Sequence, residues 1–520
     1  MNQYHTLTIA LCGIWTVSLM YGEMLAFWVP PLFTCSWPLP NSTVDSVDSS
    51  STYTKVAVIA DPQLMDRTSL GPNINSLALE LATFYSDLYI RRAYYSSILP
   101  LKPDAILFLG DYFDGGPYLS DNEWQESLSR FKHIFGIGKM KRDVNEIFLI
   151  PGNHDVGYSY ISSRFPMVGR RYEGAFGARN FQFSLGNVDF VAVDAQTLDG
   201  QLESNVTLAS WQFIKNVTTS VDHSTKTRVL LTHIPLYRPD NHSCGSHRSS
   251  PVINQRISFA SNSQDIVYQN YLTKASSSKL LDMLKPALVL SGHDHDQCTV
   301  SHDSYSGPVS EHTVGTVSWQ QGNLYPSFML LSVPNKPLSH QSNSETLKTQ
   351  LCFLPLQTHI YICYIILFLS TILLLLLWPS KGLNLGVNAG DVVSCIRSYG
   401  DAVGSEKKNE DDHCEYDMIW DAEGSMHLVK KPNAPLVPQN SQTSQDRSGG
   451  AVMRVVAKRS PATDLEEPAT ANADELKIVP RTDRRYPSRK FNRALRMVAL
   501  IAAVNIPIYI MLLAKDWIEQ

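Results

Sequence analysis

Ile147-Phe-Leu-Ile-Pro-Gly-Asn-His-Asp155 carries a short apolar run straight into three side chains able to bind a metal ion or move a proton. The arrangement recurs. Val56-Ala-Val-Ile-Ala60 is followed by Asp61, and Ile106-Leu-Phe-Leu109 by Gly110 and Asp111. Val229-Leu-Leu231 leads to Thr232 and His233, and Leu288-Val-Leu290 to Ser-Gly-His-Asp-His295. Phe190–Val193 and Phe328–Leu331 are further runs of the same kind, and amphipathic segments of helix length lie at 74–98, 122–135, 208–221 and 266–284. Short Val/Ile/Leu-rich runs alternating with helices predict strands buried on both faces in an α/β sandwich. Strand carboxyl ends in such a sheet form one rim where ligands bind, so residues distant in the chain converge there. A single Asp after a strand is commonly a turn or cap residue. Five strand ends that each carry a ligand type are a different matter.

The converging set is Asp61, Asp111, Asn153, His233, His293 and His295, with His154 and Asp155 beside Asn153. Two carboxylates, one amide and three imidazoles suit Mn, Fe or Zn better than Ca or Cu(I). Asp61, Gly110-Asp111, Gly152-Asn-His-Asp155, His233 and Gly292-His-x-His295, in that order, resemble the calcineurin-like metallophosphoesterase superfamily. The resemblance implies a double β-sandwich flanked by helices and two divalent ions, Mn foremost, about 3.5–4 Å apart. It also implies that Asp111 bridges the ions and Asn153 joins the second, while His233 and His293 complete the cluster and His295 lies toward the first. His154 would protonate the leaving oxygen, with Asp155 holding its tautomer and Asp114 orienting it or a water. Arg238 would grip the substrate phosphate. Many members begin Asp-x-His, but Gln63 stands at the histidine position here. That leaves the first ion to Asp61, Asp111, His293 and His295, with Gln63 a donor behind them.

Thr232-His-Ile-Pro-Leu-Tyr-Arg238, Leu284-Lys-Pro-Ala-Leu-Val-Leu-Ser-Gly292, Val317-Ser-Trp-Gln320 and Pro326-Ser-Phe328 are similar to the GPI-anchor remodelling phosphodiesterases, which remove ethanolamine phosphate from the glycan. Members of that family carry cysteines near the positions of Cys244 and Cys298, each of which closely follows a metal motif. A Cys244–Cys298 disulfide is therefore expected, leaving Cys35 with Cys352.

The flanking sequence speaks for a membrane. Charged residues are 18% of the 520, against the ~25% usual for soluble domains. Apolar stretches predict a transmembrane anchor over 1–34 and spans over 357–378 and 495–514. The phosphoesterase domain occupies 55–335, joined to the second span by a polar tether, and the polar segment 380–494 reads as a mostly disordered loop. Arg481, Arg484, Arg485, Arg489, Lys490, Arg493 and Arg496 crowd the entry to the third span, which puts that loop in the cytosol and the domain in the lumen. The sequons at Asn41, Asn205, Asn216 and Asn241 all lie on the lumenal side of that scheme. A net charge of −5 argues against a nucleic-acid partner. The expectation is an endoplasmic reticulum or Golgi membrane phosphodiesterase acting on GPI-anchored proteins. The alternatives are a phosphatase or phosphodiesterase for a nucleotide or phospholipid, and a non-catalytic trafficking factor.

Overall fold

The computed structural model describes residues 3–38, 52–70, 76–138, 146–220, 226–261, 263–336, 347–378, 416–420, 426–430 and 486–518. Two sheets face each other. The first contains β1 (Tyr53–Ile59), β2 (Ala105–Phe108), β3 (Glu146–Leu149), β12 (Ser327–Pro334) and β13 (Lys348–Phe353), in the order β13-β12-β1-β2-β3. The second contains β4 (Phe181–Leu185), β5 (Val188–Val193), β6 (Thr227–Thr232), β9 (Leu288–Ser291), β10 (Cys298–Ser304) and β11 (Gly307–Thr313), in the order β10-β11-β9-β6-β5-β4. Strands β1, β2 and β3 run parallel in one sheet, and β5, β6 and β9 do so in the other.

Side chains alternate faces along a strand, and here both faces are covered. Val56, Val58, Leu107, Val229, Leu231 and Leu290 fill the layer between the sheets. Their neighbours Ala57, Ile59, Ile106 and Phe108 point outward onto helices, and Leu230 and Val289 do the same on the other side. This is why the strands read as unbroken apolar runs. Helix Asp121–Phe135 shows how one outer layer is specified. Ser120 and Glu123 form a capping box, Trp124, Leu128, Phe131 and Phe135 make a buried stripe, and left-handed Gly136 ends the helix.

The segment expected to be helical over 266–284 divides. Ile266–Gln269, rich in β-branched residues, is strand β8 and pairs with β7 (Ile257–Phe259). Thr273 then caps the helix Lys274–Leu284. The first sheet also extends past the expected boundary at 335 to take in β13, so the end of the supposed tether, from Lys348 on, is strand.

Three helices are long and apolar enough to cross a membrane: Tyr4–Thr34, Gln357–Leu377 and Lys490–Ile518. Polar contacts join them, Trp15 Nε1 donating to Thr371 Oγ1 at 3.0 Å and Thr16 Oγ1 to Asn505 Oδ1 at 2.9 Å. The domain sits on this bundle without slack. Arg92 pairs with Glu23 of the first helix and, at 2.7 Å, with Asp516 of the third. Tyr89 Oη donates to Pro355 O at 2.8 Å, and a Cys35–Cys352 disulfide fastens the end of the first helix to β13. Cys244 and Cys298 form the second disulfide. Both pairings are those expected. The loop expected over 380–494 lies outside the described residues, apart from the opening of the third helix and one antiparallel pair. That pair, Tyr416–Trp420 with Met426–Lys430, belongs to a separate unit of the chain.

Candidate metal centre

Asp61 follows β1, Asp111 follows β2, Asn153 follows β3, His233 follows β6, and His293 and His295 follow β9. Parallel strands end on one side, so these residues meet. Ligand atoms of Asp111, His233 and His293 lie within 4.8 Å of one another, as do those of Asp61, Asp111 and His295. Asp111 belongs to both groups, the position of a bridging carboxylate. His293, expected from the sequence to serve the first ion, instead stands with His233 on the other side.

The backbone is bent to achieve this. Asp61, Gln63, Asp111, His293 and His295 all have left-handed φ, at 51°, 37°, 55°, 70° and 57°. Such conformations cost of order 1–3 kcal/mol each and persist where the surroundings over-determine them, commonly at functional sites. Two glycines allow the close approach. A Cβ on Gly110 would meet His233 Nδ1 at 2.6 Å, and one on Gly152 would meet Asp111 Oδ1 at 2.0 Å.

Carbonyl oxygens fix the imidazole tautomers, because a ring nitrogen facing a carbonyl must carry the proton. His233 donates Nδ1–H to Leu109 O at 2.7 Å, which turns Nε2 toward Asn153 Oδ1 at 3.0 Å and Asp111 Oδ2 at 3.2 Å. His293 donates from Nε2 to Gln269 O at 3.1 Å, and His295 from Nδ1 to Gln321 O at 3.2 Å. Each leaves its other nitrogen free as a ligand. A lone pair aimed at two oxygens is repulsive unless a cation or proton lies between them. In the metal-free protein a proton serves: burial opposes it, but contact with Asp111 prevails and pushes His233 up to about 9. Burial pushes Asp61 up to about 8 and His295 down to about 4. Burial, then the charge of His233, holds His293 low. Burial would raise Asp111 too, but His233 and His154 hold it well below the carboxylate range. The buried Oε1 of Gln63 has no partner, while its Nε2 donates to Asp111 Oδ2 at 3.2 Å. These residues fit a pair of divalent ions: buried oxygens and oriented ring nitrogens converge, and among the described residues no Lys or Arg pairs with Asp61 or Asp111.

His154 is half-buried, with its side chain 37% accessible. Its Nδ1 contacts Asp114 O, which leaves Nε2 as the ring nitrogen not engaged by that carbonyl. Burial would lower its pKa, but Asp111 and Asp114 outweigh that and raise it, so the ring is poised to hold a proton. Two expected roles are corrected here. Asp155 does not hold His154. Its carboxylate accepts N–H bonds from Asp111 at 2.8 Å, Tyr112 at 2.9 Å and Gly152 at 2.8 Å, and so ties together the loops that carry Asp111 and Asn153. Nor is Arg238 free for a phosphate. It is 1% exposed, pairs with Asp294 at 2.9 Å, donates to Thr313 Oγ1 and lies over the Tyr271 ring. Asp294 sits between His293 and His295, and Arg248 grips it as well, at 2.8 and 2.9 Å. Asp294 was visible inside Gly-His-Asp-His; the Gln269 and Gln321 carbonyls left no mark in the sequence.

Residues 54–297 match the family of calcineurin-like phosphoesterases. The chain carries a calcineurin-like metallophosphoesterase domain. It is 30% identical over 332 residues to cell division control protein 1 of Saccharomyces cerevisiae, covering 62% of this chain and 64% of that one. It is 28% identical over 348 residues to metallophosphoesterase 1 of Cricetulus griseus, covering 64% and 80%. The Mus musculus protein of that name is 27% identical over 376 residues, covering 69% and 85%. The match therefore spans just under two thirds of the yeast relative's length. Vacuolar protein sorting 29 of Cryptosporidium parvum aligns at 12% identity over 58% of this chain and 99% of that one, with a TM-score of 0.21 that carries no weight. The domain is that of a metal-dependent phosphoester hydrolase.

Proposed function

We propose that this chain is a membrane-anchored dinuclear-metal phosphodiesterase that removes ethanolamine phosphate from the glycan of GPI-anchored proteins. The observation that carries the reading is the join between the metal rim and the second membrane helix. Gln321 O accepts from His295, while Trp319, in the same loop, packs on Tyr361 of that helix at 5.7 Å between ring centroids. Gln320 Nε2 donates to Ser86 Oγ, on the helix that docks onto the bundle. A phosphodiester presented from the bilayer meets such a rim in two dimensions, which raises its effective concentration; a soluble nucleotide gains nothing from the arrangement.

A pair of divalent ions, Mn foremost by the family resemblance with Fe or Zn also suited to the donors, would supply an activated water and neutralise charge on the phosphoryl oxygens when bound. Asp61, Asp111 and His295 would hold one, and Asp111, Asn153, His233 and His293 the other. His154 Nε2 donates a proton to the leaving sugar oxygen while the Asp114 carbonyl keeps Nδ1 protonated. The Arg238–Asp294–Arg248 clamp keeps His293 and His295 in their left-handed turn.

A lumenal orientation in the endoplasmic reticulum or Golgi is part of the proposal. Exposed Asn205, Asn216 and Asn241 and the two disulfides suit an oxidising, glycosylating compartment. The test is the full chain reconstituted in Mn-containing liposomes with a GPI-anchored protein, scored for ethanolamine phosphate. Release that depends on His154 supports the reading. Hydrolysis of a small soluble diester without release from GPI would assign the centre to another phosphodiester.

A further inference from the structure

A cavity lies away from the metal cluster, at the junction of domain and membrane helices. It encloses about 460 Å³, and none of its lining residues is a metal ligand. Trp28, Pro31 and Leu32 of the first helix form one wall, Arg91 and Tyr95 of the domain another, and Lys515 of the third helix a third. Trp28 and Lys515 stand near the ends of their spans, Tyr4–Thr34 and Lys490–Ile518, on the side where the domain docks. Leu32 and Phe33 are 67% and 81% exposed just beyond. A Trp exposed at a span end, as Trp28 is, marks the headgroup level of a bilayer, and exposed Leu32 and Phe33 offer apolar surface beside it.

The charges at this junction do not cancel. Arg92 is matched by Glu23 and by Asp516. Arg91 is 2% exposed, and among the described residues its guanidinium meets uncharged groups: the main-chain oxygens of Asp516, at 2.6 Å, and His133, and the Tyr95 ring at 4.6 Å. Among the described residues no carboxylate forms an ion pair with Arg91 or with exposed Lys515. Three cations thus face two carboxylates, and the surplus positive charge borders a cavity whose other wall is apolar. A buried cation without a counter-charge is costly. The group that fits is an anion with an apolar body attached.

We propose that this cavity binds the phosphodiester headgroup of an anionic membrane phospholipid, its acyl chains running along Leu32 and Phe33. The proposal is independent of the substrate reading, since the cavity and the metal rim share no residue. A bound lipid neutralises Arg91 and completes the seat on which the domain rests.

The test is native mass spectrometry of the detergent-purified full chain titrated with phosphatidylinositol, with phosphatidylcholine, or with phosphatidylinositol plus millimolar inorganic phosphate. The chain should retain one phosphatidylinositol at least about tenfold more strongly than phosphatidylcholine. Lys515→Gln should weaken retention about fivefold, as for one basic residue at an anionic surface, and Arg91→Gln by at least about tenfold. Lys515 is exposed, so that variant decides the matter should Arg91→Gln fail to fold. Equal retention of the two lipids, unchanged retention in Lys515→Gln, or full displacement by inorganic phosphate would each overturn the proposal, the last by making the ligand a free anion.

Discussion

Asp155→Asn separates the geometry of this centre from the role that its sequence suggests. The carboxylate, 1% exposed, accepts two N–H bonds on Oδ2, from Asp111 and Gly152, and one on Oδ1, from Tyr112. An amide placed as favourably as possible keeps its oxygen at the two-bond position and turns its NH2 toward the Tyr112 N–H. One charge-assisted bond is then lost and a buried donor left unpaired, for a cost of roughly 2–4 kcal/mol. In a domain of this size that corresponds to a fall of roughly 3–7 °C in the unfolding midpoint. Metal retention should fall as well, because the loops carrying Asp111 and Asn153 are no longer tied. The assay is thermal unfolding of the detergent-solubilised full chain with and without Mn, alongside metal content after dialysis. A variant with unchanged midpoint and metal content but abolished turnover would refute the reasoning and return Asp155 to the role of holding His154.

Further expectations concern the same rim. His154→Ala should keep its metal and lose turnover by about 10²–10⁴-fold, the range for a general acid; loss of metal would make His154 a ligand. Apparent Mn affinity should rise with pH between about 6.5 and 8.5. His233 in the metal-free protein, at about 9, holds a proton that the ion must displace, so affinity falls as pH falls below that value, by up to about tenfold per unit. Titration calorimetry at several pH values checks this, and a flat profile contradicts it. Arg238→Met should lower thermal stability and metal retention while leaving KM for a small diester unchanged. A raised KM with intact stability would restore Arg238 as a phosphate ligand.

Most of the scaffold was legible because its strands are covered on both faces. Runs such as Val56–Ala60 and Ile106–Leu109 could not be mistaken for half-exposed strands, and each ended at a ligand. The polar or edge strands were harder. Cys298–Ser304 alternates buried with exposed residues, and Ile266–Gln269 was absorbed into the amphipathic period of the helix that follows. The ligand types were visible, but the division between the two ions was not, since His293 and His295 are two residues apart and only their left-handed backbone sends them to opposite sides. Arg238 and Asp155 show a different limit. Their charges invited functional roles, and only burial and partners reveal that each props up a loop. The docking of the domain through Arg92 was equally hidden, because Glu23 lies in a segment that reads simply as a membrane span and Asp516 lies just past the end of another.

The central claim is a dinuclear centre bridged by Asp111, and the most direct measurement is metal content per chain. Elemental analysis of the purified, Mn-loaded full chain should find two ions in the wild type and less than one in Asp111→Asn. A single ion in the wild type, or two retained in Asp111→Asn, would contradict the account.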